Sequence, residues 1–268
     1  MAPPKSILVI GVALLLSVVS AIEQNYVPYS YSGATGPEKW GSLSSYYSTC
    51  ANGKSQSPIN IVKKDAVLDT KLQILSRNYS TTNATLINNG FNIGLKYGNG
   101  VGVANVDGKL YTLKQLHWHT PSEHTIDGER FPAELHLVHQ GEDGSIAVVA
   151  MLYEYGHGDP LMYLLQDSLK QLTKETCSGD SEAQVPLTLK AKPINKKSRK
   201  YFRYVGSLTT PPCSENVIWT ILGKVRQISK DQVEALKAPL SASFKNNSRP
   251  TQPLNGRKVE VYNEFARN

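Results

Sequence analysis

A chain of 268 residues, 40% of them apolar and three of them tryptophan, is long enough to bury one substantial core, so a single domain is expected. Its formal charge of +7 would suit a polyanion. The densest basic run, Lys190 to Arg203, carries no nucleic-acid motif and is broken by Pro193, so it reads as a solvated loop, and nucleic acid is excluded as a partner.

At the N-terminus, Lys5 precedes an apolar run from Ile7 to Val19 and the small-residue pattern Val19-Ser20-Ala21. That is the layout of a secretory signal peptide, residues 1–21, with cleavage after Ala21. The run falls short of the ~20 residues a spanning helix needs, and no later stretch is apolar enough, so no membrane span is expected. The mature domain is then 22–268. Passage through the secretory route is oxidising, which suggests one disulfide and one leftover thiol among Cys50, Cys177 and Cys213, the residues themselves leaving the pairing open. Asn78, Asn83 and Asn246 each head a glycosylation sequon, as the same compartment would use.

From Tyr26 to Pro58 the chain is rich in Ser, Gly, Tyr and Pro and reads as an irregular segment laid over a core. Short strand-like runs follow: Ala84 to Ile87, Asn92 to Tyr97, Gly102 to Val106, Thr112 to His119, Ala133 to His139, Ile146 to Tyr153 and Val217 to Leu222. Turn signals separate them at Asn89-Gly90, Asn99-Gly100, Asp107-Gly108, Asp127-Gly128 and Asp143-Gly144. Two segments have helical spacing: Pro160 to Leu172, with Leu161, Leu164, Leu165, Leu169 and Leu172 apolar, and Lys230 to Lys237, with Val233 and Leu236. The fold class is therefore mainly β, a single domain with a few peripheral helices.

The chemistry lies between Gln115 and His139, QLHWHTPSEHTIDGERFPAELHLVH. On a strand, His117 and His119 share one face while Leu116 and Trp118 take the other; on a second strand Glu134, His136 and Val138 share a face. A lone His-x-His is commonly a hydrogen-bonded pair. If the two strands pair antiparallel, however, His136 completes a cluster of three imidazoles, which leaves a tetrahedral zinc one ligand short and open to water, the pattern of a catalytic site. Gln115 and Glu134 stand two residues before His117 and His136 on the same faces, placed to accept the second ring proton of each.

These motifs, with GPEKWG (Gly36 to Gly41), SQSPINI (Ser55 to Ile61), GSLTTPP (Gly206 to Pro212) and SRPTQPLNGR (Ser248 to Arg257), resemble the alpha-class carbonic anhydrases over nearly the whole mature chain. The stretches SLTTPPCSENVIWTILGKVR and SFKNNSRP look most like the plant secretory-pathway type. The resemblance implies a large, mostly antiparallel central sheet, Zn2+ as cofactor, and reversible hydration of carbon dioxide to bicarbonate and a proton. It implies His117, His119 and His136 as zinc ligands, with Thr209 accepting from the zinc-bound hydroxide and Glu123 accepting from Thr209. It further implies Thr210, Tyr31 and Asn89 beside the active-site water, and Val138, Val148, Leu208, Val217 and Trp219 as the carbon dioxide pocket, positions that the residues alone would assign to core packing. Asn247 matches the position whose backbone carbonyl supports His119. Cys50 and Cys213 match the disulfide of secreted members, leaving Cys177 free and bracing the loop that carries Thr209.

One position departs from the pattern. Fast members carry a proton-shuttling histidine after the Asn-Asn-Gly turn, where this chain has Phe91, so turnover is expected to be limited by proton transfer. His139 or His157 could substitute in principle. Two other readings compete. HWHTPSE also resembles the metal motif of cupin barrels, in which Glu123 would be a ligand, although the second cupin motif is missing. Some relatives of the carbonic anhydrases serve instead as storage or binding proteins after losing a ligand, whereas all three histidines, Glu123 and Thr209 are present here. The residues specify no oligomeric state. The expected location is the secretory pathway, leading to the extracellular space or cell wall, or to the chloroplast by the secretory route.

Overall fold

The computed structural model describes residues 27–98, 100–178, 183–195 and 197–266. The signal-peptide expectation over residues 1–21 and the Asn99 half of one turn signal lie outside the described residues. Strands in chain order are β1 (Asn60–Ile61), β2 (Val67–Leu68), β3 (Ser76–Tyr79), β4 (Thr82–Asn88), β5 (Ile93–Tyr97), β6 (Gly102–Val106), β7 (Lys109–His119) and β8 (Thr125–Ile126). They continue as β9 (Glu129–Arg130), β10 (Ala133–Gln140), β11 (Ile146–Tyr155), β12 (Gln184–Leu189), β13 (Lys200–Ser207), β14 (Glu215–Leu222), β15 (Arg226–Ile228) and β16 (Glu260–Asn263).

Thirteen strands form one sheet in the order β12-β4-β5-β7-β10-β11-β14-β13-β16-β2, with β3, β6 and β15 attached beside that path. Most neighbours run antiparallel, but β11 pairs parallel with both β14 and β15, and β16 with β2, so the sheet is mixed. The turn signals act as expected. Asp107-Gly108 and Asp127-Gly128, all four with positive φ, make the two-residue connections β6–β7 and β8–β9.

Alternation along the strands divides the core. Leu116, Trp118, Leu135, Leu137, Val149 and Met151 pack on one face with the helix Pro160–Cys177. Val148, Ala150, Val217, Trp219 and Ile221 pack on the other, against Ile59, Ile61 and Tyr204. Asp159 caps that helix, accepting from the Leu161 N–H at 2.8 Å. The helix buries Leu161, Met162, Leu165, Leu169 and Leu172, while Leu164, expected on the apolar face, is exposed. The second helix, Lys230–Lys237, has the expected bounds and starts with a capping box between Ser229 and Gln232.

The basic run corrects one expectation. Ala191 and Ile194 are buried, and from Lys200 the chain enters β13, between β14 and β16, with Tyr201, Phe202 and Arg203 buried. Only part of the run is therefore a solvated loop. Arg203 reaches the interior because its guanidinium pairs with Asp107 and lies 5.3 Å from the Tyr201 ring centre.

Candidate active site

β10 pairs antiparallel with β7 in a register that sets His136 opposite His117 and Glu134 opposite His119. Both strands lie near the middle of the sheet, so ladders on each side fix their backbones. One nitrogen from each of His117, His119 and His136 falls within 4.8 Å of the others.

The second nitrogen of each ring is engaged. Nδ1 of His117 lies 2.8 Å from Gln115 Oε1, and Nδ1 of His119 lies 2.7 Å from the Asn247 carbonyl oxygen. For His136 it is Nε2 that meets Glu134 Oε1, at 2.8 Å. These acceptors fix each tautomer, leaving Nε2, Nε2 and Nδ1 with lone pairs. Burial pushes the His117 pKa well below 6.5, with His119 and His136 adding to the effect, and brings His119 to about 4. His136 is also lowered by burial, against the pull of Glu134.

The arrangement fits a divalent metal by an observation of its own: among the described residues His119 Nε2 is buried without a hydrogen-bond partner, its neighbour Glu123 Oε2 standing off at 3.5 Å, a cost that a metal ion would relieve. Three neutral imidazoles are the donor set that zinc accepts. Glu123 does not join the group of ligand atoms, which argues against the cupin arrangement, as does the open sheet.

Glu123 is fully buried, and its Oε1 accepts the Arg249 N–H at 2.9 Å. Burial raises its pKa to about 7, against the lowering effects of His136, the Thr209 hydroxyl and the Arg249 N–H. Among the described residues Oε2 has no hydrogen-bond partner; it lies 3.5 Å from His119 Nε2.

Above the histidines lies a cavity of about 300 Å3, lined in part by Val138, Val148, Leu208, Trp219, Thr209 and Thr210. Val217 packs in the apolar cluster behind that wall and is not among the lining residues. Asn89 lines the cavity, its Nδ2 donating to Asn92 Oδ1 at 2.7 Å. Tyr31 does not line it; its buried hydroxyl has no hydrogen-bond partner among the described residues, and its pKa is raised well above 10, first by burial, with Tyr29 and Glu123 contributing. Phe91 lines the cavity and packs 5.7 Å from the Tyr29 ring. His139 faces away from it, on the other side of β10, where its Nδ1 meets the Ala147 carbonyl at 3.1 Å and its Nε2 the Tyr79 hydroxyl at 2.6 Å. His157 is exposed beyond β11 and is not in the lining.

Cys50 and Cys213 form a disulfide, and Cys177 is free and exposed. The Cys213 N–H donates to the Thr210 carbonyl at 2.9 Å, so the bridge ties down the loop beside Thr209. Asn78, Asn83 and Asn246 are all exposed.

Two contributors were not singled out from sequence. His124 lies with Nδ1 2.6 Å from Glu134 Oε1 and Nε2 2.7 Å from the Tyr204 hydroxyl, which is 2.8 Å from Ser57 Oγ. Burial alone would raise the Glu134 pKa, but His124 and His136 outweigh it and hold the carboxylate well below 4.5. His124, Glu134 and His136 also come within ligand distance of one another, yet His124 and Glu134 are already committed to these hydrogen bonds, so the group supports the site rather than forming another. Arg249 is the second contributor: its guanidinium donates to Gln56 Oε1, the Ser57 carbonyl and the Cys50 carbonyl, tying the N-terminal segment to the residue that holds Glu123.

Residues 35–263 match the family model described as eukaryotic-type carbonic anhydrase. The chain is 41% identical to alpha carbonic anhydrase 7 of Arabidopsis thaliana over 87% of its own length and 84% of that protein. It is 44% identical to alpha carbonic anhydrase 8 of the same plant over 87% of its own length, spanning 60% of that longer protein. Among solved structures it is similar to dioscorin complexed with ascorbate (TM-score 0.84, 34% identity, 90% of this chain and 100% of that one). It is also similar to the alpha-carbonic anhydrase of Thermovibrio ammonificans in complex with the inhibitor sulfanilamide (TM-score 0.76, 37% identity, 88% and 99%). With the fold, the three-histidine cluster and these likenesses together, the chain belongs to the alpha carbonic anhydrase family.

Proposed function

We propose that the protein is a zinc-dependent carbonic anhydrase that interconverts carbon dioxide and bicarbonate with release of a proton. The observation that carries this reading is the convergence of three imidazole nitrogens, each with its other nitrogen held by the protein, beneath a partly apolar cavity. His117, His119 and His136 would hold the ion. When bound, zinc supplies a Lewis acid that lowers the pKa of a coordinated water to about 7, the value established for carbonic anhydrase as a class.

The chain's own residues do the rest. With Oε1 engaged by Arg249, Glu123 has Oε2 left to accept the Thr209 hydroxyl proton. The Thr209 oxygen then presents a lone pair to the nucleophile's O–H and turns the attacking lone pair toward substrate. Val138, Val148, Leu208 and Trp219, backed by Val217, offer an apolar niche that suits uncharged carbon dioxide better than bicarbonate. Thr210 and Asn89 give the opposite side polar contacts for water.

Proton export is the slow step in this reading. Apart from His117 and His136, the described lining holds no imidazole, and Phe91 occupies the shuttle position.

The disulfide and three exposed sequons support passage through the secretory pathway, to the extracellular space or cell wall or onward to the chloroplast. The test of function is a carbon dioxide hydration assay on the zinc-loaded protein, with His117→Ala as the inactive control. The likeness to dioscorin, solved with ascorbate, favours a second reading as a binding protein. Zinc-replete protein without hydration activity would revive that alternative.

A further inference from the structure

Glu123 and Thr209 come from distant parts of the chain, Glu123 from the loop after β7 and Thr209 from the loop after β13. A series of hydrogen bonds joins these two loops behind the cavity wall. The Arg249 N–H donates to Glu123 Oε1 at 2.9 Å, and Nη1 of the same residue donates to Gln56 Oε1, also at 2.9 Å. Gln56 Nε2 donates to the Cys213 carbonyl at 3.1 Å, and the Cys213 N–H donates to the Thr210 carbonyl at 2.9 Å. The series therefore runs from Glu123 to the residue beside Thr209.

Its members are shielded from water: Gln56 is 4% exposed, and Arg249, Glu123 and Cys213 are at most 1%. In that setting each donor needs its acceptor. The Gln56 amide has one workable orientation, because the guanidinium offers only donors and the Cys213 carbonyl only lone pairs. The remaining amide proton goes to Glu215 Oε1 at 2.9 Å, an oxygen that also accepts the Ser55 N–H at 2.6 Å. Glycine at position 53 leaves room for this meeting, since a Cβ there would collide with Gln56 Nε2, Glu215 Oε1 and the Thr49 carbonyl. The guanidinium is fixed in turn by the Ser57 and Cys50 carbonyls, at 2.7 and 3.0 Å, and lies 5.6 Å from the Trp40 ring centre.

We infer that Gln56 and the Arg249 guanidinium are positioning residues, a brace that holds Glu123 and the Thr209 loop at the separation their hydrogen bond needs. The inference rests on the carbonic anhydrase reading for its consequence and on the contacts above for its geometry. Neither residue is in the described cavity lining, so both act through the residues they hold. Position 56 must accept from a cation on one side and donate to a carbonyl on the other, which a primary amide does and a carboxylate or thioether does not. Reach matters equally, because asparagine is one methylene too short to span the two partners.

The test combines amide exchange with kinetics on the zinc-loaded full chain. In Gln56→Met the Arg249 and Cys213 N–H groups should both exchange roughly tenfold faster than in the native protein, while the β7 and β10 ladders keep their rates. Zinc affinity, read by chelator competition, should stay within about twofold, and kcat/KM for carbon dioxide should fall roughly tenfold, as a small displacement of a catalytic group does. In a Thr209→Ala background the same substitution should cost nothing further, because the hydroxyl it places is gone. A general loss of packing would instead multiply the two effects. Gln56→Asn, which keeps the amide and shortens its reach, should give the same result and stands in if Gln56→Met fails to fold. The proposal is overturned if either amide keeps its native exchange rate, or if the Gln56 and Thr209 effects multiply. If the native protein hydrates no carbon dioxide, the functional reading falls, and amide exchange alone decides whether the brace exists.

Discussion

Glu134 and His136 stand on one face of β10, and Glu134 Oε1 accepts a hydrogen bond from His136 Nε2 at 2.8 Å, so the His136 ring is aimed by a residue of its own strand. The same oxygen meets His124 Nδ1, and Oε2 accepts the backbone N–H groups of Glu123 and His124, each at 2.8 Å. Glu134→Gln retains the shape but removes the charge. We expect it to weaken zinc binding by about 10- to 100-fold, the usual effect of disturbing a ligand's supporting hydrogen bond. Competition against a chromophoric chelator measures this, and an unchanged affinity would deny Glu134 its positioning role.

With Phe91 at the cavity wall, turnover should rise with the concentration of an imidazole-type buffer, while kcat/KM for carbon dioxide stays flat. Phe91→His should raise kcat severalfold at low buffer and flatten the buffer dependence. Stopped-flow hydration at fixed pH and ionic strength reads both, and indifference of the native protein to buffer would remove proton export as the slow step.

His139 makes stability sensitive to acid. It is fully buried, and its pKa is brought from 6.5 to about 4 by burial, despite the opposing Ala147 carbonyl. Between those values the unfolded chain binds a proton that the native protein lacks. The contribution is therefore complete above 6.5 and declines as pH falls through the window. By pH 4.5 the loss should be on the order of 2 kcal/mol. Urea unfolding at pH 7 and pH 4.5, compared between the native protein and His139→Gln, isolates this component. Equal pH dependence in the two proteins would contradict it.

The Cys50–Cys213 bridge closes a separation of 163 residues beside the Thr209 loop. Replacing both cysteines by serine should cost roughly 2–5 kcal/mol, the usual range for a native disulfide. Hydration activity measured well below the melting temperature should fall as well, because the Thr210–Cys213 turn loses its tether to the N-terminal segment. Activity preserved at low temperature would confine the bridge to a stability role.

Strand alternation made the histidine cluster legible, because its residues repeat every second position on two strands that turned out to be neighbours. The strand β13 was hidden for the opposite reason. It lies between two other strands with Tyr201, Phe202, Arg203 and Tyr204 buried in succession, so no period of two marks it. The strand β12 carries Pro186, which an edge strand tolerates but which weakens any strand reading from sequence. The roles of His124 and Arg249 depend on partners such as Tyr204 and Gln56, 80 and 193 residues away, and local pattern is silent on such contacts. The pairing of the cysteines came from family resemblance rather than from spacing.

The ring orientations of His117, His119 and His136 are set by a glutamine, a backbone carbonyl and a glutamate, on strands locked by ladders on both sides. Folding and metal acquisition are therefore separable events for this chain, unlike small zinc modules that collapse without their ion. If the proposed zinc chemistry holds, stripping the metal with a chelator should abolish hydration activity while far-ultraviolet circular dichroism barely changes, and adding zinc back should restore activity without a refolding phase.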